Sequence, residues 1–266
     1  MSNWLGIEGK NYIVTGGSSG IGESIVKSLL NQGAKVANFD IHESNETHQN
    51  MLFVKTNITD RENVKKSISI VEKTFGTVDG LVNNAGINIP SLLVDIQDPE
   101  GQYELNVNSF DKMLAINVKG TFFMSQEVSR ILAKNKSGVI VNMSSESGLE
   151  GSEGQSIYAA TKGAINSLTR SWAKEMAKFG VRVVGIAPGI METTGLRTVA
   201  YETALAYTRG KTVEQLRASY GNTSTIPLGR SGRLSEVADL VCYYLSERSS
   251  YITGVTTNVA GGKTRG

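Results

Sequence analysis

A glycine-rich turn, Thr15-Gly16-Gly17-Ser18-Ser19-Gly20-Ile21-Gly22, joins the apolar run Asn11-Tyr12-Ile13-Val14-Thr15 directly to a helical pattern running from about Gly20 to Asn31. Within that pattern Ile21, Ile25 and Leu29 recur at the spacing of one buried helix face. A strand that passes into a helix through so short a turn belongs to a βαβ unit, because parallel strands need a crossover between them. Glycines at 16, 20 and 22 allow a tight turn, close approach of the backbone to a pyrophosphate, and close helix–strand packing. The helix N-terminus adds free N–H groups and a partial positive charge. Gly16, Ser18, Ser19, Gly20, Ile21 and Gly22 are therefore candidate contacts to a dinucleotide. The lysine and terminal Ser/Thr of a nucleotide-triphosphatase loop are absent from this turn.

The rest of the chain repeats the alternation of short apolar runs and longer helical patterns. Strands are expected at Lys35 to Asp40, Met51 to Lys55, Gly80 to Asn83, Gly138 to Met143, Val181 to Ala187 and near Val255 to Val259. Thr59-Asp60-Arg61-Glu62 has the form of a capping box and predicts a helix from Asp60 to about Phe75. Further helices are expected from about Ser109 to Lys134, from the region of Tyr158 onward, and from Ser235, as N-cap, to Leu245. Residues 189–233 read as an irregular polar segment. No repeat or low-complexity linker divides the chain. The expected fold is α/β: one Rossmann-type doubly wound parallel sheet over residues 1–266, with a substrate lid at about 189–233.

Asp40, at the end of the second strand, lies 20 residues after Gly20. A carboxylate there accepts hydrogen bonds from an adenosine ribose and repels a 2′-phosphate, which favours NAD over NADP. Ser19 precedes Gly20, so the turn offers no cation to a 2′-phosphate either.

Ser145, Tyr158 and Lys162 form a second constellation, with the serine thirteen residues before the tyrosine and the lysine four after it. On a helix, the i, i+4 pair places phenol and ammonium on one face. A free phenol has a pKa of about 10, and a nearby ammonium favours the phenolate and brings it toward working pH. Such a group can move a proton on or off an alcohol while a hydride leaves the same carbon. Spacing alone is weak, since the chain also contains Tyr207 and Lys211. That second pair has Thr194 where the serine should be, and Gly210 interrupts any helix between its members.

Bulk properties exclude other classes. With 39% apolar and 20% charged residues and a net charge of +2, nothing argues for a nucleic-acid surface. One cysteine, Cys242, in the apolar run Val241 to Leu245, and two histidines, His42 and His48, give neither a disulfide framework nor a metal cluster. The N-terminus lacks a signal-peptide pattern and no apolar run approaches 18 residues, so a cytoplasmic protein without a membrane partner is expected.

Together these pieces resemble the short-chain dehydrogenase/reductase family across essentially the whole chain. The resemblance is carried by the Thr15–Gly22 turn, Asn83-Asn84-Ala85-Gly86, Asn117 in Ile116-Asn117-Val118, Ser145, Tyr158, Lys162, and Pro188-Gly189-Ile190-Met191-Glu192-Thr193. It implies a catalytic tetrad in which Tyr158 exchanges the proton and Ser145 hydrogen-bonds the substrate oxygen. Lys162 lowers the tyrosine pKa and holds the nicotinamide ribose, and Asn117 keeps a water in the proton relay. It further implies cofactor contacts from Asn57, Ile58, Asn84, Ala85, Gly86, Pro188, Gly189 and Met191, with Thr193 on the carboxamide. Asn57 stands where the family usually has aspartate over the adenine; an amide still accepts one hydrogen bond, so adenine affinity is expected to be trimmed. A homotetramer is also implied, with the Lys162 and Asn117 helices in contact.

The substrate end is less generic. About six extra residues lie around Asp98-Pro99-Glu100-Gly101-Gln102-Tyr103-Glu104-Leu105-Asn106. These, the stretch Ser147 to Gln155 and the Gly261-Gly262-Lys263-Thr264-Arg265-Gly266 end resemble the branch of the family acting on hexitol phosphates. Residues 189–233 carry six basic side chains (Arg197, Arg209, Lys211, Arg217, Arg230, Arg233) against three acidic (Glu192, Glu202, Glu214). Cations suit a phosphorylated polyol or ketose, and Glu153, Arg197, Lys263 and Arg265 are the candidate substrate residues. The expected activity is NAD-linked hydride transfer at C2 between sorbitol 6-phosphate and fructose 6-phosphate. Another polar polyol or ketone, a 3-oxoacyl thioester, or a non-enzymatic NAD-binding sensor or scaffold are the alternatives.

Overall fold

The structure is a computed structural model, and it describes residues 4–192, 194, 197–221 and 223–263. Thr193 and Arg265, both expected at the site, lie outside the described residues.

Seven parallel strands form one sheet: β1 (Asn11–Thr15), β2 (Lys35–Asp40), β3 (Met51–Lys55), β4 (Gly80–Asn83), β5 (Gly138–Met143), β6 (Val181–Pro188) and β7 (Thr256–Val259). Their order is β3-β2-β1-β4-β5-β6-β7. The chain turns back between β1 and β4, and that switch point is where the ends of a doubly wound sheet open into a crevice. The α/β expectation is borne out, and the strand boundaries agree to within a residue. Alternation along each strand feeds two cores. Tyr12, Val14, Val36, Val139, Val141, Val184 and Ile186 face one side, where α1 (Gly20–Asn31) contributes Ile25 and Leu29. Ile13, Ala37, Phe39, Ile140, Val181 and Val183 face the other, against the α2 helix (Arg61–Phe75). Each fully buried aliphatic side chain contributes about 1.5–3 kcal/mol, so both faces of the sheet drive its formation.

The long helix expected near 109–134 is α3 (Val107–Leu114) and α4 (Thr121–Asn135) with a π-helical stretch, Ala115–Gly120, between them. Asn117 lies in that stretch. A buried polar relay ties these elements together. The Asn83 amide donates to Ser125 Oγ at 2.9 Å and to Asn142 Oδ1 at 2.8 Å, and Asn142 donates to Thr169 Oγ1 at 3.0 Å. It fixes β4 and β5 against α4 and against the helix that carries Tyr158.

Three local expectations are corrected. The N-cap of α2 is Asp60, not Thr59: its carboxylate accepts from the Glu62 and Asn63 N–H groups at 2.9 and 3.1 Å. The last long helix, α9 after the short α5 (Ser147–Glu150), α6 (Ser156–Met176), α7 (Val199–Thr208) and α8 (Val213–Gly221), spans Leu234–Leu245 with Arg233, not Ser235, at its N-cap. There Glu236 Oε2 accepts the Arg233 N–H at 2.7 Å. Residues 189–233 are not irregular throughout, because they contain α7 and α8, whose small core of Leu205, Ala206 and Leu216 is too short a pattern to stand out in sequence. No helix among the described residues is long and apolar enough to cross a membrane.

Candidate active site

A cavity of about 650 Å³ opens at the C-terminal ends of the strands. That volume is ordinary for a site that takes a small ligand or cofactor. One half is walled by the glycine turn and the ends of β2 and β4. Gly16 has φ +66°, a left-handed conformation that glycine adopts at no steric cost, and a Cβ at Gly22 would run into the Gly16 carbonyl. The turn is pinned from behind. Thr15 Oγ1 accepts the Asn84 and Ala85 N–H groups at 3.0 Å each, and the Asn84 side chain donates to the Thr15 and Gly16 carbonyls at 3.1 and 3.0 Å.

Gly16, Ser19, Gly20, Ile21, Asp40, Asn57, Ile58, Asn84, Ala85, Gly86, Pro188, Gly189 and Met191 all line this cavity. Ser18 and Gly22 do not. The Ser18 hydroxyl is turned away, donating to the His42 carbonyl at 2.8 Å and accepting from Asn38 at 3.1 Å, so it braces the turn. Asp40 holds the turn as well: its two oxygens accept the Ser18 and His42 N–H groups at 3.0 and 3.1 Å. Asn57 departs from expectation. Its Oδ1 already accepts the Thr59 N–H at 3.0 Å and hydroxyl at 2.7 Å, so it closes its own loop and has no acceptor left over for adenine.

The other half holds the residues expected to carry the chemistry. β5 ends at Met143 and delivers Ser145 to the cavity, while α6 presents Tyr158 and Lys162 one turn apart. Ser145 lies close enough to the Tyr158 phenol to act on its pKa, and its hydroxyl accepts the Ser147 N–H at 3.2 Å. Lys162 is buried, with its Nζ donating to the Met143 carbonyl at 2.7 Å and lying 5.7 Å from the Tyr158 ring centre. Burial pushes the phenol up to about 12, against the pull of Ser145, and Tyr201 and Glu146 add to the rise. Desolvation lowers Lys162 to about 8. The expected lowering of the tyrosine by its lysine is not found in the protein alone: Lys162 is not among the groups that shift the phenol, and burial disfavours the charged form of both side chains.

Asn117 does not line the cavity. Its amide accepts the Ile87 N–H at 2.8 Å and donates to the Ile87 carbonyl at 2.9 Å and to Thr161 Oγ1 at 3.0 Å. It therefore joins the loop after Gly86 to α6, which carries Tyr158 and Lys162. Gly86 leaves the floor open there: a Cβ would lie 3.3 Å from Asn117 Oδ1 and 3.6 Å from Lys162 Nζ. That bare backbone beside an ammonium fits a nicotinamide ribose, and the pinned turn fits the pyrophosphate, so the residues present suit a dinucleotide.

The decoy pair is disposed of. α7 ends at Thr208, Gly210 has φ +59°, and the Tyr207 phenol donates instead to Asp95 at 2.7 Å. Tyr207 also packs on Tyr103 of the extra segment, with ring centres 4.4 Å apart. Sequence reasoning missed Gln155, Tyr201, Arg209 and Tyr220, which line the cavity from the far side. Only the positive charge of residues 189–233 hinted at one of them. Glu153 is exposed and off the cavity wall, where Ser152 and Gln155 take the inward places.

The family profile described as short chain dehydrogenase matches residues 10–204. The chain belongs to the short-chain dehydrogenase family. It is 60% identical to the sorbitol-6-phosphate 2-dehydrogenase of Klebsiella pneumoniae, with 100% of each chain covered. Among solved structures it resembles the 3-ketoacyl-(acyl-carrier-protein) reductase of Brucella melitensis complexed with NADH, with a TM-score of 0.81, 28% identity, and 97% and 100% of the two chains covered. It also resembles ElxO with NADP bound, with a TM-score of 0.81, 28% identity, and 96% and 98% covered. The chain is an oxidoreductase of a family that uses nicotinamide cofactors.

Proposed function

We propose that this enzyme interconverts sorbitol 6-phosphate and fructose 6-phosphate with NAD as the hydride carrier. The observation that carries the reading is the full-length 60% identity to a sorbitol-6-phosphate 2-dehydrogenase, together with a cavity lined by Arg197, Arg209 and Lys263 as well as by Ser145 and Tyr158. Asp40 supports NAD, since its carboxylate is held at the end of β2 by the two backbone N–H groups where a 2′-phosphate would meet its charge.

The nicotinamide, when bound, supplies the hydride acceptor or donor. In the oxidative direction the Tyr158 phenolate takes the proton of the C2 hydroxyl as the C2 hydride leaves, so the carbinol becomes a ketone and one proton remains on the enzyme. Ser145 donates to the same oxygen and holds it against the phenol. Lys162 has a second task once its charge is retained, which is to favour the phenolate and to hold a ribose hydroxyl beside Gly86. Asn117 is a positioning residue that fixes Gly86, Ile87 and α6 in one register. Residues 189–233, with α7 and α8, act as the substrate lid of a single dinucleotide-binding unit. We further infer a homotetramer in the cytoplasm: Phe110 and Phe122 on the long α3–α4 helix are 39% and 38% exposed, as suits a helix–helix contact between copies.

Initial rates with a panel of sugar alcohol phosphates and free sugar alcohols, each with NAD and NADP, test the reading. Preference for sorbitol 6-phosphate with NAD supports it; equal rates on unphosphorylated polyols, or preference for a 3-oxoacyl thioester, overturn it. Light scattering at the 28.6 kDa of one chain would overturn the tetramer.

A further inference from the structure

The six basic side chains of residues 189–233 do not share one role. Arg217 pairs with Glu202 at 2.7 Å, and Arg230 and Arg233 pair with Glu236 at 2.5 and 3.6 Å. Lys211 follows Gly210 and is exposed away from the cavity wall. Lys263 does line the cavity, but its Nζ lies 2.7 Å from Glu146 and 3.8 Å from Glu150, so its charge is already matched. Among the described residues, Arg197 and Arg209 are left as the cavity-lining guanidiniums outside any ion pair.

We propose that Arg197 and Arg209 form the phosphate clamp of this enzyme, and that Arg209 in particular makes it select phosphorylated over free polyols; this rests on the hexitol-phosphate reading above. Both are held in place by neutral partners. The Arg197 guanidinium donates to the Met191 carbonyl at 2.6 Å and lies 4.1 Å from the Tyr220 ring centre, which fixes its plane. Arg209 donates to Ser152 Oγ at 3.3 Å. From there a chain of hydrogen bonds leads back toward the catalytic tyrosine: Ser152 Oγ donates to Gln155 Oε1 at 2.7 Å, and Gln155 Nε2 donates to the Tyr201 phenol oxygen at 3.0 Å. Tyr201 is close enough to Tyr158 to act on its charge, and both guanidiniums act on Tyr201 and Tyr220. One cluster thus links the reacting end of the cavity to two planar cations with N–H groups to offer. Guanidiniums held flat and unpaired are well formed to take a phosphate through paired hydrogen bonds. The Glu146–Lys263 pair, being neutral as a unit, suits the hydroxyls of the sugar chain instead.

The test measures kcat/KM for sorbitol 6-phosphate and for sorbitol, and takes their ratio. Arg209→Gln is expected to lower the ratio by about 10- to 100-fold, the worth of a hydrogen-bonded charge contact, and Arg197→Gln by a similar factor. The cofactor Kd should remain within about twofold of the parent. The double variant Glu146→Gln with Lys263→Gln removes a cation together with its near carboxylate, leaving only the half-exposed Glu150 without its partner, and its ratio is expected to stay within about threefold of the parent. A ratio unchanged in Arg209→Gln, or lost in the double variant instead, overturns the clamp. If Arg209→Gln also loses cofactor affinity, Arg209→Lys decides: a ratio restored only in part supports a role for the planar fork, and an unchanged one refutes it. Failure of the underlying reading looks different, because the parent itself would then show no preference for the phosphorylated substrate.

Discussion

Thr15→Val isolates the contact that fastens the cofactor turn to the opposite wall of the cavity. Thr15 is 1% exposed, and its hydroxyl accepts two backbone N–H groups, those of Asn84 and Ala85, each at 3.0 Å. Valine keeps the shape and removes the acceptor. An unsatisfied buried donor costs about 1–3 kcal/mol, and Asn84 and Ala85 are only partly buried. The lower part of the combined range, about 2–3 kcal/mol, is therefore expected. For a chain of this length the unfolding entropy is roughly 0.5–0.6 kcal/mol/K, so Tm should fall by about 4–5 °C. Because Asn84 also holds the start of the turn through the Thr15 and Gly16 carbonyls, the Kd for NADH should rise in parallel. Thr15→Ser retains the hydroxyl and loses one methyl, worth about 1 kcal/mol, and should keep cofactor affinity. Thermal unfolding at fixed protein concentration and fluorescence titration with NADH measure both. A Thr15→Val protein within 1 °C of the parent, at the precision expected of such melts, or a Thr15→Ser protein as damaged as it, would refute the reasoning.

Tyr158→Phe should lower kcat by about a hundredfold or more with NADH binding nearly intact, since only the transferable proton is lost; single-turnover kinetics check this, and smaller losses contradict the proton-transfer role. Lys162→Met should abolish turnover yet stabilise the cofactor-free protein by about 1–3 kcal/mol at neutral pH, because a desolvated ammonium is removed. The folded pKa of about 8 lies below the ordinary value of 10.5, so the parent's penalty is full below pH 8 and vanishes as pH rises to 10.5. Denaturation across that window should show the variant's advantage shrinking, and an advantage that grows instead would reverse the sign. Asp40→Asn should narrow the preference for NAD over NADP by about tenfold in kcat/KM, and a parent that already uses both cofactors equally would remove Asp40 from that role.

The sequence by itself determined the sheet and three of the residues that meet at the candidate site, Ser145, Tyr158 and Lys162. Central strands such as Asn11–Thr15 were legible because both of their faces are buried, which leaves short apolar runs, whereas the edge strand Thr256–Val259 is only partly buried. Ser145, Tyr158 and Lys162 were legible because one helical turn and one strand end suffice to bring them together. What only the tertiary structure decided were contacts between residues far apart in the chain. The charge of the segment 189–233 could be counted, but which cations remain unpaired depended on Glu146, Glu202 and Glu236 meeting their partners. Tyr201, Gln155 and Arg209 reach the cavity through α7 and the 152–155 loop, whose spacing carries no periodic signal. Even the pKa of Tyr158 followed this division. Sequence placed an ammonium one turn away, while the packing buried both groups and so set the direction of both shifts, because desolvation depends on every neighbour in space and not on the nearest one in the chain.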